Sequence, residues 1–348
     1  VKAEIYAHVD AKREEAREIR MANGGYDTPE SIALEKEADK LQKNAMILDI
    51  AAMAVFTGPD LSDALIGQTV TQIDLVHRAA TADSKIMLQR CDAAGQNCTK
   101  KEVSLEEVTI VDGKIYVFNN GIFNGEDKAL ANGARQSGDV ANDAGVYHIL
   151  NPETGSYVAE ILYAGYDKLN DALGGRLPLT NAEKMNQEFI LRATDQGGVV
   201  SSVNHSRGSM TWINAIGNMQ QQGGADLGIG NVYFFGAAAN AQESADIGYV
   251  ISGGNSMQYQ ATHATDLVGK VPWILGGNPP TGEKNGGKFP ASHSAYTQSA
   301  PPVGTFIGGI NMRELTDRTW GPGKYSEPVQ VPPSEKAKAN LELQKGGK

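Results

Sequence analysis

A serine hydroxyl becomes a nucleophile only where a histidine can take its proton and a carboxylate fixes that histidine's tautomer. The stretch VVSSVNHSRGSMTWINAIGN, residues 199–218, offers the serine. It runs from β-branched residues through a polar knot into apolar residues of helical period, so Ser206 stands at an expected strand-to-helix corner. So sharp a corner crowds the backbones two residues before and two after the serine, and small residues are needed there. Gly208 fills the second position. The first is Asn204, a departure softened by the tolerance of Asn for left-handed backbone angles. Two readings of Ser206 therefore stand, a nucleophile or an ordinary turn serine. Ser252-Gly253-Gly254 also reads S-x-G, but no helical pattern follows it.

Partners for Ser206 come later in the chain, in the order serine, acid, histidine. Asp266 lies in HATDLVG beyond the strand-like SMQYQ, and His293 lies in FPASHSAY. Each has a plainer reading: Asp266 as the N-cap of a helix beginning LVGKVPWIL, and His293 as a surface-loop histidine. Asp246, in SADIG, is the competing acid but precedes its strand. His205 reads as structural, and His263 is placed to orient the acid loop. A metal site built from His205, His263, Asp266 and His293 has no diagnostic spacing, and neither metal nor organic cofactor is expected. Acyl transfer also needs donors for an oxyanion. The backbone N–H of Arg207, at a helix start, is one candidate. Gly121 or Ile122 in VFNNGIFNG is the second, the other reading of that segment being a plain Asn-Gly turn.

The elements that would hold these residues are legible in the patterning. KIYVF (114–118), GVYHIL (145–150), VVSSV (199–203), VYFFG (232–236) and SMQYQ (256–260) read as strands separated by helical or Gly-rich segments. Thr180 and Glu183 form a capping box opening a helix through Met185, Phe189 and Ile190, which Gly197-Gly198 ends. A helix with Val158, Ile161, Leu162 and Leu169 on one stripe follows Asn151-Pro152. Alternation of this kind implies an α/β domain with a mostly parallel sheet flanked by helices, over about residues 111–320.

Residues 1–66 form a helical N-terminal extension in which Thr28-Pro29 opens a long helix to Ala54. Residues 67–110 read as a connector. Within it Cys91 and Cys98 enclose DAAGQN, a spacing that suits a disulfide-closed loop, two free thiols being the alternative. Residues 321–348, with Pro322, Pro328, Pro332 and Pro333 followed by Lys-rich residues, read as a disordered tail. The formal net charge of −10 argues against a nucleic-acid partner. The longest apolar run, AMILDIAAMAVF, has twelve residues against the roughly 20 that span a bilayer. It reads as a packed helix, peripheral membrane contact being the other reading.

KIYVFNNGIFN, VYHILNPETG, VNHSRGSMT, HATDLVGKVPWILGGNPP and FPASHSAY resemble, in that order, the C-terminal region of filamentous-haemagglutinin-like exoproteins, including contact-dependent growth-inhibition proteins of the CdiA type. That region is similar to α/β-hydrolases of the lipase and esterase kind. The resemblance covers roughly residues 70–300. It implies an α/β-hydrolase-like fold, with Ser206, Asp266 and His293 as nucleophile, acid and base acting on a lipid or small ester. It further implies a secreted or cell-surface bacterial setting, delivery into a target cell and a cognate immunity protein. A disulfide formed outside the cytoplasm agrees with that setting. A catalytically inactive domain serving translocation, processing or partner binding is the alternative, and Asn204 is its ground.

Overall fold

The structure, a computed structural model, describes residues 84–91, 98–121, 126–137, 144–150, 178–270, 276–281 and 328–346. It also describes short groups at 11–12, 15–16, 18–19, 28–31, 33–34, 164, 166–168, 170–171, 293, 296, 306–307 and 310–311. The chain divides into two compact units, Val1–Gly67 and Gln68–Lys348. In the first, Thr28 caps the helical residues that follow: its hydroxyl accepts from the Ser31 N–H at 3.1 Å while the Ser31 hydroxyl accepts from the Thr28 N–H at 2.9 Å. The remainder of the expected helix to Ala54, and the apolar run at 45–56, lie outside the described residues, as does the stripe of Val158, Ile161, Leu162 and Leu169. Among the described residues no helix is long and apolar enough to cross a membrane.

The second unit is an α/β fold. Its strands are β1 (Lys85–Arg90), β2 (Thr99–Val103), β3 (Lys114–Asn119), β4 (Val146–Leu150), β5 (Val199–His205), β6 (Ile229–Phe235), β7 (Met257–Ala261), β8 (Phe306–Ile307), β9 (Ile310–Asn311) and β10 (Val329–Val331). Its helices are α1 (Glu126–Ser137), α2 (Asn181–Asp195), α3 (Gly208–Gln221), α4 (Ala241–Ile251), α5 (Leu267–Lys270) and α6 (Glu335–Gly346). Eight strands form one sheet in the order β10-β7-β6-β5-β3-β4-β1-β2, while β8 and β9 pair separately. The five strands from β7 to β4 run parallel, and β1, β2 and β10 are antiparallel to their neighbours.

Period-two alternation sorts the strand residues between the sheet's two faces. Ile115, Val117, Val200, Val232 and Phe234 join Phe189 and Ile190 of α2 and Trp212, Ile213 and Ile216 of α3 in the main core. Phe118, Val146, Val203, Phe235 and Ala261 face the other way, and Tyr296 packs among them. Fully buried Trp212 is the largest side chain of the main core, and truncating it to Ala would cost about 3–5 kcal/mol. The capping box of α2 forms as the spacing predicts: Thr180 Oγ1 accepts from the Glu183 N–H at 3.3 Å, and the Glu183 carboxylate accepts from the Thr180 N–H at 2.6 Å.

Two expected boundaries are corrected. Residues 67–110 are not merely a connector, because β1 and β2 make a hairpin that completes one edge of the sheet. The Cys91–Cys98 disulfide closes that hairpin at the residues flanking the two strands. Nor are residues 328–346 of the expected tail disordered. Val329–Val331 adds an antiparallel strand to β7, and α6 lays Ala337 and Leu341, both buried, against the domain. Asp246 anchors this segment, its carboxylate accepting from the Ser334 N–H and hydroxyl at 2.7 Å each. The competing acid is therefore occupied by a structural task on α4.

Candidate functional site

The connectivity itself marks a place for chemistry. From β3 the chain goes to β4 on one side, then returns across β3 to β5 and continues through β6 and β7 in the opposite direction. Such a reversal opens a crevice beyond the carboxyl ends of the two central strands. Register makes those ends level: Asn119 pairs with Asn204, His205 with Phe235, and Phe235 with Ala261. The residues that follow at once, Asn120-Gly121, Ser206, Gly236 and Thr262-His263, therefore share one rim.

Ser206 occupies the corner. It is buried, with φ +54°, in the left-handed region that L residues other than Asn and Asp seldom visit. Hydrogen bonds hold it there. Its N–H donates to the Phe235 carbonyl at 3.2 Å, and its own carbonyl accepts from Ser209 N–H at 3.1 Å, Ala238 N–H at 3.2 Å and Ser209 Oγ at 2.6 Å. Arg207 follows in helical conformation as the N-cap of α3. Its side chain turns into the protein, where Nε donates to Asp167 at 2.6 Å with both groups buried. Burial raises the Asp167 carboxyl, an effect the Arg207 guanidinium opposes.

The small residue at 208 has a steric cause. A Cβ there would lie 2.1 Å from the Asn119 carbonyl oxygen, so α3 starts against β3 only with glycine. Position 204 has a different one. Asn204 lies within β5 and is not among the residues of positive φ, so no tolerance of left-handed angles is called upon. Instead its Oδ1 accepts from Asn119 Nδ2 at 2.8 Å and Ser202 Oγ at 3.1 Å, while its Nδ2 donates to the Tyr233 carbonyl at 3.3 Å. Asn119 and Asn186 exchange amide hydrogen bonds of 3.0 and 2.9 Å beneath the same corner. A buried amide network takes the place of the first glycine.

Asp266 and His293 meet directly. His293 Nδ1 lies 2.9 Å from Oδ2 and 3.1 Å from Oδ1 of a carboxylate with no exposure to solvent. The Asp266 carboxylate also accepts from Tyr296 Oη at 2.7 Å, from Val268 N–H at 2.9 Å and from Gly269 N–H at 3.4 Å. Asp266 is thus both the cap of α5 and the partner of His293, so its two readings are compatible. Burial alone would raise its carboxyl. The hydrogen bond and charge of His293, with the Tyr296 and Gly269 donors, outweigh burial and hold it below the ordinary carboxylate range.

His293 is tied to the serine corner through His205, the residue before Ser206. The two imidazoles stack at 4.8 Å with 26° between their planes, and His205 Nε2 sits 2.9 Å from the His293 carbonyl, to which it donates. Gly236 lies between these parts: a Cβ on it would fall 2.5 Å from Asp266 Oδ2 and 2.9 Å from His293 Nδ1. His263 orders the approach to the acid, since Asp266 N–H donates to its carbonyl at 3.0 Å and its Nδ1 accepts from Thr265 N–H at 3.1 Å. One ring nitrogen in each of His205, His263 and His293, the imidazoles weighed for a metal ion, is engaged by a protein group. Among the described residues no group of three or more His, Cys, Asp or Glu is arranged to hold such an ion.

Gly121 stands buried on the rim beyond β3, level with the Ser206 corner, whereas Ile122 lies outside the described residues. Patterning missed Tyr296 altogether, although it stands three residues after His293, the spacing that brings side chains of one helical turn together. No protein-family model matches this chain, and comparison with curated proteins and with solved structures finds no match either.

Proposed function

We propose that this domain is an α/β-hydrolase-like serine hydrolase acting on carboxylic esters, with Ser206 as nucleophile, His293 as base and Asp266 as its orienting acid. What supports the reading is a left-handed serine at a strand-to-helix corner, sharing one rim of the sheet with a hydrogen-bonded Asp266–His293 pair. Since Nδ1 of His293 is engaged by the carboxylate, Nε2 is the nitrogen that takes the Ser206 proton. The freed Oγ adds to the ester carbonyl, whose oxygen gathers negative charge facing the N–H groups of Arg207 and Gly121. His293 returns the proton to the departing alcohol. Water, deprotonated by the same nitrogen, then releases the acid from the acyl-enzyme and restores Ser206.

The test is Ser206→Ala, which should abolish both p-nitrophenyl-ester turnover and labelling by a fluorophosphonate. Wild-type protein that ignores both reagents overturns the assignment. The biological setting, a secreted toxin or effector region acting on lipid or other esters and matched by an immunity protein, follows from the resemblance of its segments to exoprotein C-terminal regions. Growth inhibition by the wild-type protein that disappears in Ser206→Ala supports that setting, and inhibition that survives the substitution removes it.

A further inference from the structure

Asp266 and His293 stand 27 positions apart in the chain, and something must fix the one beside the other. Tyr296 has the contacts to do so. It is fully buried, its ring 6.0 Å from Phe235 and 6.3 Å from His205, both at the rim where Ser206 begins. Its hydroxyl donates to Asp266 Oδ2 at 2.7 Å and accepts from the His263 backbone N–H at 2.7 Å. It therefore ties the carboxylate, the loop after β7 and the segment carrying His293 at one oxygen atom. The same Oδ2 is the nearer acceptor for His293 Nδ1, at 2.9 Å.

We propose that Tyr296 is a positioning residue of this site, holding the His293 segment on Asp266 and setting how strongly that carboxylate draws the imidazole proton. The proposal rests on the hydrolase reading above. A hydroxyl donating to Oδ2 spreads the carboxylate's charge. Without it the full charge faces His293, and the pair binds an additional proton more readily. Among the described residues, the groups around Asp266 and His293 include Tyr296 and His263, His205 at the end of β5, and the Val268 and Gly269 amides of α5.

The experiment compares wild-type protein with Tyr296→Phe, which keeps the ring, and with 3-fluorotyrosine placed at position 296, whose hydroxyl is the stronger donor. Fluorophosphonate labelling rates and ester kcat/KM are followed against pH, with thermal melts alongside. Tyr296→Phe should lower kcat roughly tenfold with KM unchanged, and move the acid limb up by about one pH unit, the scale of one charged hydrogen bond. The fluorinated residue should move the limb down. Opposite movements support the assignment. A lower rate at every pH with an unmoved limb in both variants, or stability loss alone, overturns it and leaves Tyr296 a packing residue. Should Tyr296→Phe fail to fold, the fluorinated protein decides by the sign of its shift. Absence of labelling in the wild type is a separate result, which strikes the hydrolase reading itself.

Discussion

Gly236 offers a sharp test of where the chemistry sits, because its replacement injures one place only. It has φ +52°, and a Cβ there would meet Asp266 Oδ2 at 2.5 Å, Tyr296 Cε2 at 2.8 Å and His293 Nδ1 at 2.9 Å. Gly236→Ala therefore carries two costs. The left-handed backbone of an L residue costs about 1–2 kcal/mol. The methyl group must also push the acid, the imidazole or Tyr296 outward, by about an ångström in the case of the Asp266 carboxylate, to restore ordinary contact distances. Gly197→Ala isolates the first cost, since Gly197 has φ +69° with nothing within 4 Å of its would-be Cβ. Both variants should melt lower by roughly 2–4 °C per kcal/mol, Gly236→Ala by more. Only Gly236→Ala should lose ester turnover, by about 100-fold, since displacing a reacting group by an ångström costs about that much. The measurements are calorimetric melts and kcat/KM on a p-nitrophenyl ester. A folded Gly236→Ala protein as active as Gly197→Ala would refute the placement of the reacting groups beside residue 236.

Three further outcomes are expected. Ser206→Gly should be inactive yet melt above Ser206→Ala, because relief of about 1–2 kcal/mol of left-handed strain exceeds the roughly 0.5–1 kcal/mol entropic cost of glycine. Burial and the Asp167 charge push Glu183 up to about 8 from an ordinary 4.5, despite its bonds from Thr180 and Asn214. A carboxyl raised on folding contributes stability that is complete below about pH 4.5 and lost as pH rises through 8. The wild-type melting temperature should fall across that window, and Glu183→Gln should flatten the fall. Cys91→Ser with Cys98→Ser should lose about 2–3 kcal/mol in chemical denaturation, from loop-closure entropy, but keep full turnover. The hairpin it closes lies at the sheet edge, separated from β5 by β4 and β3.

What the sequence disclosed were features whose cause is local. The strands β3 to β7, the Thr180–Glu183 box, the disulfide and the start of α3 at Arg207 all follow from residues a few positions apart. What it concealed depends on distant partners. TKKEV of β2 looked like linker because an edge strand is kept polar to discourage pairing, and four of its five residues are exposed. Helix α6 buries only Ala337 and Leu341, too little to imprint a helical stripe, and its fixing point, Asp246, is on another helix. Asn204 looked like a defect in a motif because its partners, Asn119 and Tyr233, come from neighbouring strands. Tyr296 is undistinguished until its hydroxyl is seen between Asp266 and the His263 N–H.

The strain at Ser206 is the feature from which function is inferred, and its persistence has a physical explanation. A left-handed L residue survives only where the surroundings over-determine it. Here the Phe235 carbonyl fixes the N–H of Ser206, while three donors from Ser209 and Ala238 converge on its carbonyl. Beneath, the amides of Asn119, Asn186 and Asn204 lock the ends of β3 and β5 level, so the corner has no slack in which to relax. An ordinary turn could discharge the same strain by placing glycine at 206, as the chain does at Gly197, Gly223 and Gly253. A chain that uses glycine at those turns and keeps a serine at this one, on the rim where Asp266 and His293 join, spends stability on a hydroxyl group, as the nucleophile proposed above requires.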